Sequence, residues 1–183
     1  AELFNQSVGG CPVLDLDKSW HGLHFVTTGS PDPTEGAEAF LLAGGRVLDM
    51  GLHSARIFLP EEVGEIASVL ASISPQTLAD RLDPEKLNAA EIYPSVWEDD
   101  SMAAPHVTEL KEEFAKLRQF VQVTAEKERC LVISNEWPAD IKPDPVRQVT
   151  ISSRVGHALV FGLAGLGSTV FMASRPSWVV QSE

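Results

Sequence analysis

LDLDKSWHGLHFVTTG, residues 14–29, alternates between an apolar face and a dense set of polar groups. Asp15 or Asp17 can cap a helix running to about Thr28, because a short carboxylate accepts from the free amides of a first turn. Gly29 stands where a glycine closes a helix in the left-handed conformation. Leu16, Trp20, Leu23 and Thr27 recur at helical spacing, and Phe25 and Val26 widen that face. Asp17, His21 and His24 fall at i, i+4 and i+7 along another face. Three such groups can be metal ligands, but His-x-x-His lacks the glutamate that gives the His-Glu-x-x-His pattern its chemistry. The expectation is therefore no metal, with Asp17 as a cap, His21 in solvent, and His24 hydrogen-bonded at the edge of the core.

Outward from this helix, SPDPTEG is a turn-rich loop, and GAEAFLLAGG is a short helix closed by Gly44 and Gly45. Arg46 to Asp49 and Ala55 to Leu59 are short strands around a turn at Gly51. Pro60, Pro75 and Pro84 each open a helix as its first residue, where a missing amide hydrogen costs nothing. Val63, Ile66, Ala67 and Leu70 form the apolar stripe of the first of these. Tyr93-Pro94 ends the run, since the residue before proline is pushed out of helical space. The longest helix is expected to start between Pro105 and Thr108. Its inward face is Leu110, Phe114, Leu117 and Val121, and Glu112 pairs with Lys116 on the outside. CLVIS, residues 130–134, is a buried strand. Helices outnumber strands and do not alternate with them regularly. The fold class expected is α+β, a compact single domain with several helices packed on a small mixed sheet, followed by an apolar C-terminal extension.

The chain has 183 residues and a net charge of −12. Residues 1–134 hold 22 acidic and 10 basic side chains, whereas residues 135–183 hold 4 of each. An acidic domain repels a phosphate backbone, which excludes general nucleic-acid binding and leaves basic proteins as the complementary partners. Two cysteines, Cys11 and Cys130, form neither a metal motif nor a disulfide framework, and this fits a cytoplasmic protein.

Beyond Ser134 a proline-rich break leads to VGHALVFGLAGLGSTVFMA, residues 155–173, 19 residues without an acidic or basic side chain. The length suits a bilayer span, but the glycines and His157 favour a packed or irregular extension. GLAGLG lacks the order and the preceding strand of a dinucleotide loop.

With ARIFLPEEVGEIASVLASIS and LNAAEIYPSVW following it, LDLDKSWHGLHFVTTG resembles the YfbM-like family of small bacterial α+β proteins. The resemblance covers about residues 12–134 and implies a compact cytosolic domain with no established activity. Relative to the family, the segment before the first motif is short, so a truncated N-terminus is expected. The loop usually reading Gly-Tyr-Gly-Pro is Gly51-Leu52-His53-Ser54. The residue before Pro60 is Leu59, removing a side-chain cap of about 1 kcal/mol. Residues 135–183 have no family counterpart, and the expectation is a domain over 1–134 with a fusion or reading-frame product after it.

Seven residues within or beside the family motifs are the candidate binding groups: Lys18, Trp20, His24, Arg56, Asn88, Glu91 and Tyr93. Lys18 beside Trp20 and His24 suits an anion at a helix start, or else it pairs with Asp17 on the surface. Arg56 suits a carboxylate, or else an internal ion pair with Glu91 or an aspartate. Glu91, Tyr93 and Asn88 offer acid–base groups, or else a lock in which Tyr93 buries its ring. Glu98-Asp99-Asp100 is a solvated acidic loop. No catalytic residue, cofactor or metal is assigned. The function expected is a non-enzymatic, immunity-like or regulatory interaction module. The alternative is a small enzyme whose pocket gathers Lys18, His24, Arg56, Glu91 and Tyr93.

Overall fold

A computed structural model of the chain describes residues 7–8, 11–49, 54–134 and 169–173. In chain order these form β1 (Ser7–Val8), β2 (Cys11–Asp15), α1 (Trp20–Thr28), β3 (Arg46–Asp49) and β4 (Ser54–Phe58). There follow α2 (Pro60–Ser72), α3 (Pro75–Arg81), α4 (Pro84–Ala89), α5 (Asp100–Glu126), β5 (Cys130–Ser134) and β6 (Thr169–Ala173). Single 3-10 turns cover Asp17–Ser19 and Ala37–Ala39.

The strands make one sheet in the order β1-β2-β6-β5-β4-β3. Every described pair is antiparallel, so the sheet is not mixed as expected. Between β3 and β4 lie only residues 50–53, far too few for the crossover that a parallel pair requires. Side chains alternate between the two faces of the sheet. Leu14, Phe58, Leu131 and Ile133 join the core made with α1, α2 and α5. Val13, Ala55, Ile57, Cys130 and Val132 form a second buried cluster. Burial on both faces is why CLVIS is apolar throughout rather than alternating.

Helix starts follow the local chemistry closely. The three prolines are the first residues of α2, α3 and α4. Ser74 accepts from the Thr77 amide and Asp83 from the Glu85 amide. Leu59 offers no acceptor, but its own amide donates to Glu62 Oε2 at 2.6 Å, so half of a capping box survives. Gly29 closes α1 at φ 79°, its amide donating to the Phe25 carbonyl. Two expectations fail at α5. It starts at Asp100, where Asp99 accepts from the Ser101 amide at 2.9 Å, so Pro105 lies inside the helix. Lys116 pairs with Glu113 at 2.6 Å rather than with Glu112.

Of the apolar stretch 155–173, the described part is β6, which lies hydrogen-bonded between β2 and β5. The rest of residues 135–183 lies outside the described residues, as does the loop at Gly51-Leu52-His53. Among the described residues, no helix is long and apolar enough to cross a membrane.

Candidate functional site

The candidate residues separate into three places. The innermost holds His24 and Arg56. His24 is fully buried, and its Nε2 lies 2.9 Å from the Asp32 carbonyl. A carbonyl only accepts, so Nε2 carries the proton and Nδ1 is a bare lone pair. That Nδ1 is sealed from solvent with no hydrogen-bond partner among the described residues. Burial holds the His24 pKa below its ordinary value. The Asp32 carbonyl opposes that shift, while His21 and Arg56 add to it.

Arg56 reaches from β4 to the backbone after the second 3-10 turn. It donates to the carbonyls of Phe40 at 2.8 Å, Leu41 at 2.6 Å and Ala43 at 2.5 Å. Burial lowers its pKa from the usual guanidinium value. The guanidinium is thus occupied by backbone, and among the described residues it pairs with neither Glu91 nor an aspartate, so the expected internal ion pair is not formed there. His24 and Arg56 are structural anchors for consecutive loop segments.

The second place is a shallow cleft where the first and third family motifs meet α5. Lys18 and Ser19 enter from the first 3-10 turn, and Tyr93, Pro94 and Trp97 from the AEIYPSVW segment. His106, Glu109 and Leu110 complete it from α5. Its free volume is about 30 Å³, room for a water or two and far below the several hundred Å³ of a substrate pocket. Asp17 does not cap α1. Its amide donates to Asp15 Oδ1 at 3.0 Å, so Asp15 is the carboxylate that starts the turn. Among the described residues Lys18 forms no ion pair with Asp17.

Tyr93 does not bury its ring. It is 44% exposed, and Ile92 takes the inward position, its carbonyl accepting from the Trp97 indole at 2.5 Å. The Tyr93 amide instead donates to His21 Nδ1 at 3.0 Å, while His21 Nε2 sits 3.1 Å from the Pro31 carbonyl. Trp20 stacks on His21 with centroids 5.0 Å apart. His21, expected in solvent, therefore joins α1, the loop at Pro31 and the turn at Tyr93.

Asn88 and Glu91 occupy the third place, on the exposed side of the α4 end. The Asn88 side-chain amide Nδ2 donates to Glu98 Oε1 at 3.2 Å, and the Asn88 backbone carbonyl accepts from the Glu91 backbone amide at 2.9 Å. Neither lines the cleft. Lys18 and Tyr93 are thus brought together, Trp20 is linked to Tyr93 through His21, and the remaining four lie apart. The five-residue enzyme pocket does not assemble.

Sequence reasoning missed His21, Trp97, His106 and Glu109. Trp97 stands inside the LNAAEIYPSVW motif, which was signal enough, whereas His21 was weighed only as a metal ligand or a solvent-facing side chain. His106 donates from Nδ1 to the Met102 carbonyl at 2.8 Å and meets the edge of Trp97 at 6.2 Å. Its place on a helix became readable only with the true start of α5. Among the described residues, no group of three or more His, Cys, Asp or Glu side chains is arranged to hold a metal ion.

The arrangement is that of an α+β domain whose polar motif residues pin loops and frame a shallow cleft. Residues 2–134 match the family described as a domain of unknown function, DUF1877, and the chain belongs to that family. Among solved structures it is similar to YfbM from Escherichia coli, described as a protein of unknown function. The similarity is 22% identity with a TM-score of 0.53, covering 66% of this chain and 79% of that one. At that identity the likeness is one of fold. No curated protein matches the chain.

Proposed function

We propose that the domain is a non-enzymatic docking module for a basic protein, with the cleft of Tyr93 and its surroundings as the contact surface. One observation carries this reading. Of the three large apolar side chains exposed among the described residues, Tyr93 lines this cleft at 44% exposed, and Met102, 45% exposed, stands one turn before its His106 on α5, with the Met102 carbonyl accepting from that ring. Tyrosine, tryptophan and methionine supply the anchor contacts of interfaces, and acidic residues belong on the rim. Glu109 lines this one and is exposed, and Glu98 and Asp99, next in the chain after its Trp97, are exposed as well. Complementary charge speeds association with a basic partner and fades with salt. The bacterial cytoplasm is the compartment assigned on this reading, on the grounds of the sparse cysteines.

The test is capture from a bacterial lysate by wild-type protein and by Tyr93→Ala/Met102→Ala, at about 50 mM and about 500 mM salt. Basic proteins retained by the wild type at low salt, weakened at high salt and lost from the variant would bear out the reading. Equal retention by both forms, or none by either, would overturn it.

A further inference from the structure

We propose that His21 and His24 are a proton-operated latch, which holds the loop at 30–36 and the Tyr93 turn against α1 while both imidazoles are neutral. His21 and His24 are one turn apart, and each turns Nε2 to a carbonyl of the same loop, Pro31 at 3.1 Å and Asp32 at 2.9 Å. Both must therefore be the Nε2–H tautomer, leaving both Nδ1 atoms as lone pairs. The lone pair of His21 accepts from the Tyr93 amide at 3.0 Å. A second proton on that ring would set one N–H against another, and the Tyr93 turn would lose its tether. The lone pair of His24 faces a sealed site without a partner among the described residues. A proton there would be a buried, unpaired charge unless the loop moved to admit water.

The charged groups around the pair make the second proton harder to accommodate. Arg56 from β4 opposes charging of His24 with its positive charge, and His21 does so as well. Asp32 is the one carboxylate in the set that favours a charged His24. From α3, Arg81 lies at the far end of α1 on the carbonyls of Val26 and Thr27. From α5, the close contact with α1 is the apolar Leu110 against Gly22, and Glu109 lines the cleft beside it. Burial already lowers the His24 pKa, in keeping with a closed state that excludes the proton. Opening frees two segments together because His21 touches both, and one of them carries Tyr93. The latch is a property of the free protein and does not rest on what Tyr93 binds.

The experiment uses the full chain. Nitrogen-15 spectra of the histidine rings at about pH 7.5 read the tautomers, and amide exchange from about pH 7.5 to about pH 5 reads the opening. After correction for intrinsic exchange chemistry, the Tyr93 amide should lose about tenfold in protection on acidification, while Phe114 to Val121 of α5 keep theirs. Trp20 fluorescence should change over the same range, since its indole stacks on His21. In His21→Gln, where the ring is absent, the pH step in Tyr93 exchange should vanish. Unchanged protection of Tyr93, loss in parallel with α5, or an Nδ1–H tautomer on either ring would each overturn the proposal.

Discussion

Arg56 donates to the carbonyl oxygens of Phe40, Leu41 and Ala43, three acceptors that a planar fork can reach at once and a single ammonium cannot. Arg56→Lys should therefore lower unfolding free energy by about 2 kcal/mol despite the kept charge, as read from urea midpoints. A loss no larger than that of an exposed lysine substitution would show that the fork is not what holds the loop. His24 supplies a pH dependence of definite sign. Its folded pKa lies below the 6.5 of the unfolded chain, so the unfolded chain takes up the proton first as pH falls. The stability it contributes is complete above about 6.5 and is lost as pH drops from there towards the folded value. Unfolding at about pH 7.5 and about pH 5.5 should show the lower stability at acid pH. His24→Gln should flatten that slope even if it unfolds more easily, and a flat wild-type profile would sink the argument. A hydrogen-bonded His24 was legible from its place on the helix. The partners of Arg56 were not, because loop carbonyls converge on a side chain only after the chain has folded around it.

At the scale of elements, α1 and α5 touch where Gly22 has no side chain, and an added Cβ would lie 2.7 and 2.8 Å from the two δ carbons of Leu110. Gly22→Ala gains about 1 kcal/mol of helix propensity, but overpacking a buried contact costs about 1–3 kcal/mol. The net effect should be destabilising. It should be smaller than additive with Leu110→Ala, which opens the space, and a double-mutant cycle checks this coupling. Additive changes would mean that the helices separate freely. Asp99→Ala should fray the start of α5 and lower the thermal midpoint, because the carboxylate accepts from both the amide and the hydroxyl of Ser101. Those same bonds hold its pKa below the usual aspartate value. Its stabilisation is thus present at neutral pH and is lost as pH falls through the carboxylate range. The starts of α2, α3 and α4 were legible because a first-turn proline, joined at α3 and α4 by a side-chain cap, acts within four residues. The same rule misled at α5, where proline is tolerated inside and the cap lies six residues earlier. The identity of an i+3 over an i+4 ion-pair partner was likewise beyond spacing alone.

For the molecule as a whole, the charge break at residue 134 was legible and coincides with the end of the family match. The sheet does not end there. Thr169–Ala173 enters between β2 and β5, pairing Phe171 with both Val13 and Val132. An apolar run without charges is equally compatible with a span, a buried helix or a buried strand, so composition marked the segment without assigning its structure. A chain ending at Ser134 would leave β2 with only the two-residue β1 as its described partner, and β5 open along one side. Open edges on apolar strands pair with other chains. The 1–134 fragment is therefore expected to unfold at a lower temperature than the full chain and to form larger species as concentration rises. Calorimetry and light scattering on the two forms read these effects. A fragment with the same midpoint and size distribution as the full chain would show that β6 adds nothing to the sheet, and that residues 1–134 fold as a complete unit.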